Sequence, residues 1–286
     1  MFNFFLAKQS NRAILMYLSL MMSGVIIQEI YGQTGKENFL ERFTTHVSAK
    51  PLPIYEKPAK GTTITIPVIV YHSIRPSFPE ETLEMKRYST EPHIFEQELV
   101  FLKESGYHVI SFKEMLNYFD QGIPLPAKPV ILTFDDGWRN QYVYAFPLLK
   151  KYGFTGTFFV FTNAMKNKNF MSWDELREMD AAGMTIAGHS KTHPYLTKIF
   201  DPNTLTEEIA DSKKILEEQI GKPVVAFAYP FGSLNAAVVE ETLRAGYRIG
   251  RTSDAGTKHT EETLPRLTAL YDKNNLATFI NLVSTQ

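Results

Sequence analysis

Lys128-Pro129-Val130-Ile131-Leu132-Thr133-Phe134-Asp135-Asp136-Gly137-Trp138 runs from an apolar, β-branched segment straight into two adjacent carboxylates and a glycine. Such a stretch reads as a buried strand that delivers Asp135 and Asp136 to its C-terminal end, where Gly137 lets the chain turn away. Two carboxylates side by side on a buried strand repel each other and resist ionisation. A nearby cation or a catalytic task is what ordinarily keeps at least one of them charged. Further along, His189-Ser190-Lys191-Thr192-His193 supplies two imidazoles. They lie between Gly188 and Pro194, in a loop leaving a strand and not on a helix.

On both sides of this stretch the chain alternates strand-like and helical patterns. Ile64–Tyr71 reads as strand and His93–Ser105 as helix, with Phe95, Leu99, Phe101 and Leu102 on one side. Tyr107–Ile110 is a short strand, and Ser111-Phe112-Lys113-Glu114 is a capping-box opening to the next helix. Strand Val130–Asp135 leads to helix Asn140–Tyr152, strand Gly156–Phe161 to helix Ser172–Ala182, and strand Met184–His189 to helix Leu205–Ile220. Strand Val224–Tyr229, helix Asn235–Ala245, strands Tyr247–Arg251 and Pro265–Leu270, and helix Asn274–Val283 complete the series. About seven or eight βα units in succession favour a barrel of parallel strands over an open sheet, and the glycine-rich phosphate turn typical of open sheets is missing.

A barrel demands that catalytic residues sit where strands end and βα loops begin. His72, Asp135 with Asp136, His189, and Tyr229-Pro230-Phe231-Gly232 all end predicted strands. Two neutral imidazoles and one carboxylate suit zinc, with nickel, cobalt, manganese or iron as alternatives, and leave positions open for water and substrate. A metal there polarises an acyl carbonyl and acidifies its bound water, while the second carboxylate takes the proton. Departure of the leaving group needs an acid, and His72 is the best placed. Phe231, Tyr229 and Trp138 are candidates to bind substrate at the rim, with Pro230 between two of them. His259, in a polar loop with Lys258 and Glu261, reads as a surface residue.

Composition sets the frame. With 286 residues and 44% hydrophobic content the chain can bury one large core. A net charge of −1 gives no basic stripe for nucleic acid. The absence of cysteine excludes disulfides, thiolate ligands and a lipoprotein attachment site. Lys8 and Arg12 precede the apolar run Ala13 to Ile27, which matches an export signal and is short for a comfortable membrane span. The expected organisation is a signal peptide or membrane anchor over 1–32, a linker or wrapping segment over 33–61 and a catalytic domain over 62–286. Contact with a membrane is expected only through an uncleaved N-terminal segment, and the protein is expected to be a monomer.

Thr133-Phe134-Asp135-Asp136-Gly137 and His189-Ser190-Lys191-Thr192-His193 together resemble the first two motifs of the polysaccharide deacetylases with the NodB homology domain, carbohydrate esterase family 4. The resemblance covers roughly Ile64 to Val283. It implies a distorted (β/α)7-type barrel in the α/β class, with Asp135 as base and Asp136, His189 and His193 as metal ligands. It also implies hydrolysis of acetyl groups from a polysaccharide or oligosaccharide outside the cytoplasm, whether periplasmic, at the cell surface or secreted. Two departures narrow the subgroup. Ala228 stands where the family's third motif has an arginine that orients the base, so Arg266 in Leu264-Pro265-Arg266-Leu267 is the expected substitute. The family's C-terminal histidine is missing, whereas Val70-Tyr71-His72-Ser73-Ile74 is similar to the circularly permuted branch that includes deacetylases of poly-β-1,6-N-acetylglucosamine. An esterase acting on O-acetylated glycan such as xylan, or a glycan-binding protein that keeps the barrel without turnover, are the alternative readings.

Overall fold

The computed structural model describes residues 55–271 and 274–284, within a compact unit that begins at Tyr55. The segment read as a signal or anchor, and most of the linker read over 33–61, lie outside the described residues. In chain order the strands are β1 (Ile64–Thr65), β2 (Val68–Tyr71), β3 (Ser73–Ile74), β4 (Ser89–Thr90), β5 (His108–Val109), β6 (Pro129–Phe134), β7 (Thr157–Val160), β8 (Thr185–Gly188), β9 (Ala226–Ala228), β10 (Ile249–Arg251), β11 (Lys258–His259) and β12 (Leu270–Tyr271). One parallel sheet runs β10-β9-β8-β7-β6-β2-β12, with β5 beside the start of β6.

The sheet closes through a single segment. Leu267 bridges Arg251 at one end of the sheet, its N–H donating to Gly250 O at 2.6 Å and its carbonyl accepting from Thr252 N at 2.8 Å. Three residues later Leu270 and Tyr271 pair with Ile69 and Val70 of β2 at the other end. Gly250 is required at that seam. A Cβ there would lie 2.3 Å from Pro265 O and 2.4 Å from the Tyr229 hydroxyl.

Strand alternation then decides what faces inward. Val68, Val70, Ile131, Phe159, Ala187, Ala226, Ala228 and Ile249 belong to one buried layer, joined by Phe112, Met115, Leu116 and Phe119 of the helix Phe112–Gln121. The intervening residues Ile69, Tyr71, Leu132, Phe134, Phe158, Val160, Ile186 and Phe227 belong to a second layer beneath the outer helices. Both faces are therefore buried, which explains why these strands read as continuous apolar runs. The inner parity, extended to the strand ends, falls on His72, Asp135, His189 and Arg251.

Local chemistry sets the element ends. Ser111 and Glu114 form the expected capping box, with Ser111 Oγ accepting from Glu114 N and Glu114 Oε2 accepting from Ser111 N at 2.7 Å. Ser172 and Glu175 form another. The strand expected over Ile64–Tyr71 is split: Ile64 and Thr65 pair antiparallel with β11, and only Val68–Tyr71 enters the barrel. Pro67, which has no N–H to give, sits at the break, its carbonyl accepting from Ile131 N at 2.9 Å. Pro265 and Arg266 likewise fall in a 3₁₀ turn, Glu261–Arg266, and not in the strand expected from Pro265. Two helices expected to be regular carry a π-helical turn, Gln141–Ala145 and Glu207–Asp211. Among the described residues no helix is long and apolar enough to cross a membrane.

Candidate active site

Asp136, His189 and His193 present one ligand atom each to a common point. Asp136 Oδ1 lies 3.5 Å from His189 Nε2 and 3.3 Å from His193 Nε2, and the two imidazole nitrogens are 3.1 Å apart. Ligand atoms of a tetrahedral ion with bonds of about 2.0–2.1 Å are spaced by about 3.3 Å, so the three donors fit one face of such a shell. The outer contacts fit as well. His189 Nδ1 is 2.7 Å from Ala228 O, which can only accept, so Nδ1 carries the proton and Nε2 keeps its lone pair for a cation. Trp138 Nε1 donates to Asp136 Oδ2 at 3.0 Å, which leaves Oδ1 facing the histidines. Burial alone would push the Asp136 carboxyl up, but the neighbouring His189 and His193 imidazoles hold it well below the usual carboxylate range.

The backbone here is bent hard. Asp136, Ser190, His193 and Phe231 all have positive φ, at 73°, 69°, 63° and 57°, without being glycine. Each such residue costs on the order of 1–3 kcal/mol, which the surrounding contacts must offset. Gly137, at φ 77°, makes the turn expected of it.

Asp135 is 3% exposed. Its Oδ2 pairs with a guanidinium nitrogen of Arg251, which is also buried and lies over the Phe159 ring at 5.3 Å. Asp135 Oδ1 has no hydrogen-bond partner among the described residues. The orienting charge assigned from the sequence to Arg266 thus comes from Arg251. Arg266 itself is exposed in the 3₁₀ turn before the closing segment, next to Pro265, whose carbonyl meets the seam. His72 Nε2 stands 3.9 Å from Asp135 Oδ2, and its ring packs against Tyr88 with centroids 5.0 Å apart. Burial lowers the His72 pKa, against the opposing pull of Asp135 and Asp136.

Two buried side chains hold these groups from behind. Gln141 Nε2 donates to His72 O at 2.7 Å and to Asp135 O at 2.5 Å, tying the ends of β2 and β6 together. Glu208 accepts from the loop that carries His193. Each comes from one of the π-helical turns, a local irregularity that the apolar period of the sequence does not encode.

The aromatic candidates separate. Phe231 is 52% exposed, stacks on Tyr195 at 4.0 Å and meets the His193 ring edge-on at 4.6 Å. Trp138 stacks on Phe170 at 4.4 Å and serves Asp136 through its indole N–H. Tyr229 is 1% exposed, and its hydroxyl donates to Pro265 O at 2.9 Å. It is a seam residue rather than a sugar platform, because Ala228 before it belongs to the inner layer and its own ring lies in the outer layer beside Phe227. Pro230 is buried behind Phe231. His259 is 1% exposed and donates through Nε2 to Ile66 O at 3.0 Å, so its polar-looking loop lies folded against β1.

A Bacillus subtilis (strain 168) protein, YxkH, named as a polysaccharide deacetylase, is 30% identical to this chain over 201 residues, covering 70% of this chain and 67% of its own length. The chain belongs to the polysaccharide deacetylase family. The family's sequence model matches residues 122–250, which include Asp135, Asp136, His189, His193 and Phe231. A poly-β-1,6-N-acetyl-D-glucosamine N-deacetylase of Staphylococcus aureus (strain MRSA252) is 28% identical over 201 residues, covering 63% of this chain and 69% of its own. Among solved structures, the Streptococcus pyogenes deacetylase PplD in complex with acetate superposes with a TM-score of 0.69 at 29% identity, covering 75% of this chain and 95% of its own. IcaB from Ammonifex degensii gives a TM-score of 0.68 at 25% identity, covering 77% and 96%. The polysaccharide deacetylases are hydrolases of non-peptide carbon–nitrogen bonds, and this chain carries the barrel and a donor set that fits a divalent metal ion.

Proposed function

We propose that this chain removes N-acetyl groups from N-acetylglucosamine units of an extracellular polysaccharide, with zinc held by Asp136, His189 and His193. The observation that carries the reading is the convergence on one rim of a three-donor metal set, a carboxylate paired with a buried arginine and a histidine 3.9 Å from that carboxylate. A bound zinc ion would polarise the acetyl carbonyl and acidify a water beside it. Arg251 occupies Oδ2 of Asp135, so Oδ1 is the oxygen free to take the proton from the attacking water. His72 gives a proton to the departing amine nitrogen, so that amide and water become acetate and a free amine. Phe231, stacked on Tyr195 beside His193, offers an apolar face to the sugar ring next to the scissile group. The apolar run Ala13 to Ile27 supports action after export.

The reading is tested by acetate release from poly-β-1,6-N-acetylglucosamine, chitooligosaccharide, peptidoglycan and O-acetylated xylan, with and without chelator. Zinc-dependent release from the first substrate supports it. Release from xylan alone makes the protein an esterase, and no release from any substrate by metal-loaded protein leaves a glycan-binding barrel.

A further inference from the structure

The loop between His189 and His193 adopts its course against local preference. Ser190 and His193 are both left-handed, a conformation that residues other than glycine adopt uncommonly. Ser190 Oγ accepts from His193 N at 2.9 Å, which closes the loop on itself. On one side the loop's carbonyls are held by the segment after β7, Ser190 O accepting from Thr162 N at 3.2 Å and Lys191 O from Asn163 N at 2.9 Å. On the other side its donors are held by Glu208. It is 6% exposed, and its carboxylate accepts from Lys191 N at 3.0 Å, Thr192 N at 2.8 Å and Thr192 Oγ1 at 2.6 Å. The nearby Lys191 ammonium goes to Glu207 instead, at 3.1 Å. The buried charge of Glu208 is thus met by the loop's own donors.

The π-helical turn that bears Glu208 is itself supported. Ser212, fully buried, donates Oγ to Glu208 O at 2.8 Å and to Ile209 O at 2.9 Å, covering carbonyls that the wide turn leaves short of partners. A rigid element, a buried carboxylate and two consecutive loop amides therefore form one connected unit ending at His193.

We infer that Glu208 is a positioning residue for the metal site: it fixes the loop so that His193 Nε2 meets Asp136 and His189 at ligand spacing, and thereby sets metal affinity. This inference rests on the metal reading of Asp136, His189 and His193. It makes hydrogen-bond geometry, not charge, the operative property. Glutamine at this position can still accept both amides through one carbonyl oxygen and donate to Thr192 Oγ1.

The test is the zinc dissociation constant of the full-length protein, measured by competition with a chromophoric chelator, beside the melting temperature of each metal-free form. Glu208→Ala is expected to bind zinc ten- to a hundredfold more weakly, the usual scale for losing an outer partner of a metal ligand. Glu208→Gln is expected to bind close to wild type. Wild-type affinity in Glu208→Ala overturns the inference, and so does a Glu208→Gln variant as weak as the alanine. Should Glu208→Ala fail to fold, Thr192→Val removes the hydroxyl bond alone: weaker zinc binding supports the inference and unchanged binding overturns it. Wild-type protein that binds no zinc refutes the metal reading itself, a result distinct from either.

Discussion

Arg251 and Asp135 pair across the interior of the barrel, one from the end of β10 and the other from the end of β6. In the sheet order these strands are separated by β9, β8 and β7. In a flat sheet, at about 4.8 Å per strand, they would stand roughly 19 Å apart. Their contact is a direct product of sheet curvature, so Asp135 meets its arginine only once the barrel has curled.

Replacing Arg251 with Met should leave Asp135 buried without its cation. Breaking a buried pair from one side costs about 3–5 kcal/mol, read as a lower urea midpoint, and acetate release should be lost with it. Arg251→Lys keeps the charge without the planar fork and should recover only part of either. Arg266→Ala should change stability by no more than about 0.5 kcal/mol, and full loss of activity in that variant would return the orienting role to Arg266.

Asp135→Asn and His72→Ala separate proton transfer from metal binding. Each should lower acetate release by about 10²–10⁴-fold, the usual contribution of a general base or acid. Zinc content after dialysis should remain that of the wild type. Loss of zinc from either variant would mean that the residue serves the metal and not the proton.

Trp138→Phe keeps a ring on Phe170 but deletes the N–H that occupies Asp136 Oδ2. Freed of that bond, Asp136 can rotate its carboxylate. Zinc affinity should fall about tenfold or more, with little change in melting temperature of the metal-free protein. A substrate-binding role alone would instead raise KM and leave zinc affinity untouched.

Acid sensitivity should trace in part to His259. Burial lowers its pKa from the ordinary 6.5, against the hydrogen bond to Ile66. The unfolded chain therefore binds the proton first as pH falls, and stability present above 6.5 is lost between that value and the lower folded pKa. His72, shifted the same way by burial, adds to the slope. Urea midpoints measured in chelator should drop from pH 7 to pH 5 more steeply for wild type than for His259→Gln, which can keep a donor to Ile66. Parallel slopes would remove His259 from the account.

The strand ends and the metal donors were legible because both are written in residue type: apolar runs that stop at Asp135, His189 and His72, and imidazoles next to carboxylates. Arg251 was legible too, as the last residue of the predicted strand Tyr247–Arg251. Choosing Arg266 followed from reading Pro265–Leu270 as strand, whereas Pro265 breaks it into a 3₁₀ turn. Gln141 and Glu208 lay beyond reach, since their partners are main-chain atoms of distant loops and the π-helical turns that carry them leave no mark on the apolar period. Tyr195 carries no motif, and only the fold brings it against Phe231.

The seam between β2 and β12 joins the earliest and latest strands of the barrel, Ile69 beside Leu270. A chain synthesised or threaded through a translocon from its N-terminus therefore presents the His72 strand first and its final neighbour last. Asp135, His189 and Arg251 all emerge in between, before the segment that closes the barrel. Pairing across so long a loop is slow to nucleate, so closure of the barrel comes late in folding.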